Sequence, residues 1–493
     1  MSKFAVFFLL LYGGGLVAVL AYNGAAAFFL YQIVYMFNPE NRWWSADIPS
    51  MRYSFITALM MLLALAYKYK ELSQISPWTR QPVFGWMLAF LLLHFIAFFY
   101  ALDPDAHSRF TDYFWRLVVV MLVAYKLLNT EKLLNIAIWV YLLGAAYVGY
   151  YGHSMGRDNR GRLSGIGMID TSTDSNLAAA ALVPAVVLLL YYAWQGNWKT
   201  RALVFICSAF VVNVLVLLNS RGAFLGVLAG CSLFVFFMLF SRIQKARQRM
   251  AAVGIVIAGL SGALYLTDES FWNRMQTLQA DEYGQRGADG RGRMHFWFGT
   301  FDMIKDYPLG MGVGGYTTVS AIYLDPTQTN YTIERRVPHS TWFQVLGDFG
   351  WLGLFVFVGM LVSALRMSHK TKKYLIKQGR PEIYHKILAL ECGLIGFLAA
   401  ATFIDRARAE ILFWMLLFLA SASNVYYLQH QAKTAVGAAA NALGRRQQPE
   451  VDKPLGGTEE PLGKRKQNGP VTKASLRKQL QSQQQLANPG QRE

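Results

Sequence analysis

Apolar runs of 15 to 20 residues recur along most of this chain, more of them than a soluble core can accommodate. Each run is long enough to cross the hydrocarbon of a bilayer as a helix, which pairs every backbone N–H and C=O inside the segment. Spans are expected near 52–67, 82–100, 114–128, 132–151, 176–193, 202–218, 222–240, 250–266, 349–366, 387–404 and 410–428. The first stretch, 4–36, is too long for one ordinary span. Because "AYNG" at 21–24 breaks it, a hairpin of two short helices is expected, with one tilted span as the alternative. The chain therefore reads as an all-α polytopic membrane protein of about 12 (12 or 13) spans. No cleavable leader is expected, since Lys3 stands alone before an apolar run with no small-residue cleavage site. Cys207, Cys231 and Cys392 all fall inside spans, which implies neither a disulfide framework nor a metal cluster.

Lysine sets the orientation. With strict alternation of the eleven clear spans, Lys68, Lys70, Lys126, Lys132, Lys199, Lys245, Lys370, Lys372, Lys373, Lys377 and Lys386 fall on one face together with the C-terminal tail. The positive-inside rule makes that face cytoplasmic. Three regions follow: a membrane body over 1–428, a large outward loop within it at 267–348, and a tail at 429–493. The tail is polar and basic, with a net charge of +6, and is read as disordered and suited to anionic headgroups rather than nucleic acid.

Arginine is distributed differently. Of the lysines only Lys305 falls clearly in an outward loop, whereas fifteen arginines do: Arg42, Arg52, Arg109, Arg157, Arg160, Arg162, Arg221, Arg274, Arg286, Arg291, Arg293, Arg335, Arg336, Arg406 and Arg408. The planar guanidinium fork grips phosphate or carboxylate with two hydrogen bonds, whereas the ammonium of lysine is a hydrated point charge. Any single arginine is accounted for by solvation or a loop carboxylate; the set as a whole points to an anionic ligand on that face.

The outward loops carry further patterns. In 291–316, Met294, Trp297, Phe298, Phe301 and Ile304 share one helical face, and Trp272, Met275 and Leu278 do so in 270–279. Such helices would lie on the membrane or cap the bundle. Pro308 stops the first of them, and Gly310, Gly312, Gly314 and Gly315 read as turn and packing residues rather than a phosphate loop. In "GHSMGRDNRGRLSGIGMIDTSTDSN" (152–176), Asp174, Ser175 and Asn176 read as helix caps. "NSRGAFLG" (219–226) puts Arg221 at a span boundary, either as an anchor reaching for the interface or as a group turned into the bundle. Asp405 with Arg406 and Arg408 reads as a locally paired loop.

Taken together, "NSRGAFLG", "GRMHFWFGTFDMIKDYPLGMGVGGY" (292–316) and "PHSTWFQVLGDFGWLGL" (338–354) resemble the O-antigen ligase and polymerase family of bacterial envelope enzymes. The last motif matches as a histidine, a small polar residue, then an acid–Φ–Gly–Φ–Φ–Gly helix, with Ser340 where many members have Asn. "YMFNPENRWW" (35–44) further resembles probable O-glycosylation ligases associated with exosortase systems. The resemblance covers roughly residues 1–428. It implies a GT-C-like, metal-independent glycosyltransferase of the bacterial inner membrane, with no cofactor. Such an enzyme takes a glycan from undecaprenyl pyrophosphate on the periplasmic side and passes it to a hydroxyl of lipid A–core or protein. A polymerase of lipid-linked chains would use the same site. A flippase or exporter ranks behind both, because the charges gather at the outward rim and no internal repeat is evident.

On this resemblance His339 is the general base, and Arg221 and Arg293 are its arginine partners. Arg157, Arg160, Arg162, Arg291, Arg335 and Arg336 join them as pyrophosphate ligands on charge and position. Guanidinium donors stabilise the leaving pyrophosphate as its bond breaks, and neighbouring cations favour a neutral imidazole able to accept a proton. Asp302, Asp348 and Glu334 are alternatives that could orient or replace it, while His107, His153 and His295 lack comparable context. The topology is testable with single cysteines on a cysteine-free background. An impermeant thiol reagent applied to intact cells should label positions in 267–348 and spare the tail; the reverse pattern inverts the orientation.

Overall fold

The computed structural model describes residues 1–159, 161–171, 174–241, 243–244, 246–280, 290–324 and 336–434. Arg160, Arg286, Glu334, Arg335 and the tail from 435 lie outside the described residues, as do the side chains of Arg274, Arg291 and Arg293. The described elements are all helical. Helices α1 (Lys3–Ala21) and α2 (Ala26–Phe37) divide the ambiguous first stretch in two. There follow α3 (Tyr53–Tyr67), α4 (Tyr69–Ile75), α5 (Pro82–Ala97), α6 (Pro104–Leu127), α7 (Glu131–Met155), α8 (Ser175–Gln195), α9 (Trp198–Leu218), α10 (Arg221–Phe240) and α11 (Ala246–Leu266). The large loop holds α12 (Glu269–Ala280), α13 (Gly290–Asp306) and α14 (Gly315–Tyr323), and the chain re-enters the bundle through α15 (Thr341–Lys377), α16 (Pro381–Ala401) and α17 (Glu410–Ser423).

Every expected span is helical, but not every helix would be recognised as a span by length and composition. Among the described residues nine helices are long and apolar enough to cross a membrane, or up to ten if the bent pair Tyr69–Arg80 and Pro82–Ala97 is one span. The expected number is higher because α2 and α3 have only 12 and 15 residues, and α6 carries Asp105, Arg109, Asp112 and Arg116 in its outer half. α10 and α16 approach closely through small residues. A Cβ on Gly226 would lie 2.5 Å from the Gly396 carbonyl oxygen, and one on Gly230 would lie 2.8 Å from that of Cys392. In lipid, where apolar burial adds little between helices, such backbone approach is a main source of packing energy.

The feature that positions the outward site is a break in α15. Phe349 and Gly350 leave the helical region, Gly350 with φ +62°, so the limb Thr341–Asp348 is set off from the rest of the helix. The break strands carbonyls, and the glycine segment after α13 answers them: Met311 N–H donates to Gly347 O at 2.8 Å and Gly312 N–H to Asp348 O at 3.0 Å. The same segment accepts from Leu102 N–H at Met311 O (3.0 Å) and, at Val313, donates its N–H to His107 Nδ1 (3.0 Å). The glycines are thus turn and packing residues, and His107 is a buried structural histidine that also bonds the His94 carbonyl.

α13 is a helix as expected, and a second apolar side beside the expected one is the side turned inward. Phe296, Thr300, Met303 and Ile304 are buried, whereas Met294, Phe298 and Phe301 are 51%, 60% and 37% exposed. The helix is apolar on two sides, and the side that meets Met311, Tyr316 and Val319 wins the interior position.

The seam between the glycine segment and α15 predicts unequal glycine costs. A Cβ at Gly350 would lie 2.4 Å from Pro308 O, whereas one at Gly14 meets nothing within 4 Å. Gly350→Ala should therefore lose about 1–3 kcal/mol in thermal unfolding of the detergent-solubilised protein, and Gly14→Ala should be near-silent. Equal melting of the two variants would remove the seam from the account.

Candidate functional site

At one end of the bundle a loop meets the first limb of α15, and a second loop meets that loop. One is 402–409, between α16 and α17; the other is 156–174, between α7 and α8. Helix–helix turns of this kind carry orphaned backbone groups, and here side chains satisfy them. Thr341 Oγ1 donates to Ile404 O (2.8 Å) and accepts from Arg406 N–H (2.9 Å), Gln344 Oε1 accepts from Ala407 N–H (3.1 Å), and Trp342 Nε1 donates to Thr402 Oγ1 (3.0 Å). The 402–409 loop is in this way tied to α15 along its length.

His339 sits at the head of that limb in a left-handed conformation, φ +49°, which is uncommon for a residue with a side chain. Asp405 holds the turn. Its carboxylate accepts from His339 N–H (3.2 Å) and Ser340 N–H (3.0 Å), and Oδ2 lies 4.0 Å from His339 Nδ1. The sequence suggested a histidine among cations; the structure adds a carboxylate from 66 residues away, whose effect on an imidazolium is the opposite. Burial pushes the Asp405 carboxyl up to about 7 against the help of the two amides, with the Asp348 carboxylate adding to the rise. Phe296 of α13 lies near the imidazole, ring centroids 6.0 Å apart, and Trp297 Nε1 donates to Pro338 O (3.1 Å) while stacking on Phe343. Arg291 and Arg293 belong to the first turn of α13, just ahead of these contacts.

The arginines of the 402–409 loop do not pair locally. Arg406 donates to Asp170 through Nη2 at Oδ2 (2.7 Å) and Nη1 at the carbonyl (2.8 Å). Asp170 also accepts from Tyr35 OH and from Glu410 N–H (3.0 Å), and Glu410 Oε1 accepts from Tyr31 OH (3.0 Å) and Tyr113 OH (3.1 Å). Arg408 pairs with Asp348 at 2.9 Å and lies over the Phe110 ring. Asp348 is thereby committed to an ion pair, and Asp302 forms an exposed pair with Lys305.

Arg221 opens α10 after the cap Ser220, as the boundary motif suggested. It borders a narrow cleft with Asn176, Phe403 and Ile404, so the same loop that reaches His339 through Asp405 reaches Arg221 two residues earlier. Arg162 leans on the other side of Asn176, with Nη2 on Oδ1 at 2.9 Å, and caps α9 at Leu218 O (3.0 Å). Arg157 is spent on Asp268 (2.8 Å) and on the carbonyls of Gly161 and Val216. Arg336 is half-buried, with its N–H on Ser320 Oγ. Arg42, deep in the protein, caps α2 by donating to Phe37 O (2.8 Å). Asp174 caps α8, accepting from the amides of Asn176 and Leu177. No group of three or more His, Cys, Asp or Glu among the described residues could hold a metal ion.

Sequence reasoning passed over Asp170 and Glu410, and read Asp405, Arg406 and Arg408 as no more than a loop paired within itself. Their signal was present: "DRARAE" (405–410) puts four ionisable groups between two apolar spans, a costly arrangement that asks for distant partners.

The raised Asp405 carboxyl gives a signed pH prediction. A folded value of about 7 above the ordinary 3.8 means the fold prefers the protonated form, so this group's contribution to stability is complete below about pH 4 and is lost as pH rises through about 7. The difference in unfolding temperature between wild type and Asp405→Asn in detergent should therefore change across pH 5–8. Asp405→Ala, which leaves two amides without an acceptor, should cost about 1–3 kcal/mol at low pH, and less as pH rises towards 7 and the wild-type carboxyl loses its contribution. A pH-independent difference would show that the carboxyl is not strained.

A comparison with protein families matches residues 203–358 to the model described as O-Antigen ligase. That segment runs from α9 through Arg221, α13 and His339 into α15. No curated protein matches the chain.

Proposed function

We propose that the chain, whose residues 203–358 match the O-antigen ligase model, is a ligase-like or polymerase-like glycosyltransferase that transfers a glycan from undecaprenyl pyrophosphate to an acceptor hydroxyl at the His339 turn. The observation that carries this reading is the convergence of His339 and Arg221 on one loop, 402–409, at one end of the bundle. The acceptor hydroxyl attacks the anomeric carbon, its proton passes to the imidazole, and the sugar–oxygen bond to the pyrophosphate breaks with the electron pair leaving on phosphate. Asp405 faces Nδ1, which leaves Nε2 to receive the proton, and its ionised form stabilises the imidazolium. Arg221 and Arg293 serve the leaving group, whose charge grows as the bond breaks. Arg157 and Arg162 act in this reading mainly by holding the 156–174 loop in place. Arg160, Arg291, Arg335 and Arg336 remain further phosphate ligands.

The site faces the periplasm of the bacterial inner membrane in this proposal, with lipid A–core or a protein hydroxyl as acceptor. The likeness to exosortase-associated ligases makes protein the acceptor to try first. A polymerase would differ in product alone: deleting a ligase leaves lipid-linked chains of normal length without an acceptor, and deleting a polymerase abolishes the long chains.

The variants separate chemistry from anchoring. His339→Ala should insert and bind lipid-linked donor yet lose about two to four orders of magnitude in transfer, the usual loss for a missing general base. Arg221→Lys keeps the charge and any anchoring role but not the two-pronged geometry, so transfer should fall while expression does not. The same contrast is expected for Arg293→Lys. Transfer should continue in excess EDTA. Full turnover by His339→Ala, or activity abolished by chelator and restored by magnesium, would sink this mechanism.

A further inference from the structure

We propose that a cavity of about 440 Å³ at the same end of the bundle, between the C-terminal end of α2 and the start of α3, is a saccharide subsite. The proposal rests on the glycosyltransferase reading. It concerns a region, residues 34–55 with 116 and 169, that lies outside the matched segment and takes no part in the mechanism above.

The lining decides the ligand class. Glu40 and Arg52 both border the cavity, and neither makes a hydrogen bond or ion pair through its side chain among the described residues. Asn41 spends its amide N–H on Asn38 Oδ1 (3.0 Å), which leaves its carbonyl toward new partners, and Ser54 adds a hydroxyl. Arg116 also borders the space, but Asp112 occupies its guanidinium at 2.7 Å. The charges cancel in pairs, so the cavity has no net pull on an anion, unlike the arginine-rich turn around His339. What it offers is a balanced set: a carboxylate and an amide oxygen to accept, a guanidinium fork to donate, and a hydroxyl able to do either. A sugar ring carries adjacent hydroxyls that donate and accept at once, and planar carboxylate and guanidinium groups bridge two such hydroxyls. Phe55, 60% exposed, supplies an apolar face for the C–H side of a ring. The volume falls in the ordinary range for small-ligand sites, about 300–1,000 Å³.

Position links this cavity to the reaction. Ile169 forms part of its wall, and the next residue, Asp170, pairs with Arg406 beside the Asp405 that holds His339. A glycan lodged here is separated from the proposed base by one buried ion pair and the loop that carries it. The sugar could belong to the donor chain or to the acceptor; the chemistry is shared and the experiment separates the two.

The full-length protein in detergent is titrated with two probes, the glycan freed from its lipid-linked donor by mild acid and, for the lipid A–core alternative, the delipidated core oligosaccharide as acceptor glycan, with binding read by saturation-transfer NMR. Glu40→Gln, Arg52→Ala and Phe55→Ala alter exposed side chains and should melt like wild type. Loss of a charged hydrogen bond should weaken one probe about 10- to 100-fold, and the matching substrate's KM should rise with kcat retained. A change confined to the donor glycan assigns the site to the donor; one confined to the acceptor glycan assigns it to the acceptor. His339→Ala should bind both probes as wild type does, so a failed mechanism with intact cavity effects remains distinguishable from a failed cavity. Wild-type binding of both probes by all three variants overturns the proposal. So does loss of co-purified phosphatidylethanolamine from Glu40→Gln and Arg52→Ala with glycan binding unchanged, which would make the cavity a zwitterionic headgroup site.

Discussion

The arrangement at the outward end depends on the buried pairing of Arg406 with Asp170. A guanidinium 6% exposed and a carboxylate of similar burial hold each other there through two hydrogen bonds, one to the Asp170 carboxylate and one to its carbonyl. Removing one member of such a pair typically costs about 3–5 kcal/mol, since the survivor keeps its desolvation cost without its attraction. The pair joins two loops more than two hundred residues apart in sequence, and everything argued for the site lies on one of those loops or is tied to it. Arg408 with Asp348 repeats the device on the α15 side. The 402–409 loop is thus clamped both to the 156–174 loop and to α15, and Asp405, immediately before the first clamp, has little freedom to release the His339 turn.

Within this cluster the acids outnumber the bases. Asp170 and Glu410 share a neighbourhood with the single guanidinium of Arg406, and the surrounding donors are the neutral phenols of Tyr31, Tyr35 and Tyr113. Tyrosine suits this position because its ring belongs in an apolar bundle while its hydroxyl serves a carboxylate. The polar groups of a membrane interior are affordable only as a connected network, and this one runs from α2 through α6 to α17.

Much of the architecture was legible because lipid imposes one rule, and the rule is visible in hydropathy. The break at "AYNG", the cap at Asp174, the stop at Pro308 and the boundary role of Arg221 all follow from local chemistry and all stand in the structure. Two things were not local. The inward side of α13 is one, because the helix is apolar on two sides and periodicity alone does not say which of them meets Met311 and Tyr316. The "DRARAE" loop was read as pairing within itself because Asp170 and Asp348 are distant in the chain. His339 shows the same limit: its sequence neighbours are arginines, and the carboxylate that fixes its backbone arrives from another loop.

The seam between the glycine segment and the break in α15 has a mechanical consequence. Backbone hydrogen bonds from residues 311 and 312 enter the broken helix itself, and a third links the segment to the start of α6 through Leu102. A strand of chain stitched at three points to two spans cannot lift and settle with each catalytic cycle at little cost. The segment beside the break in α15 is part of the chassis rather than a door. Any movement of this segment would have to carry α15 and the approach to α6 with it.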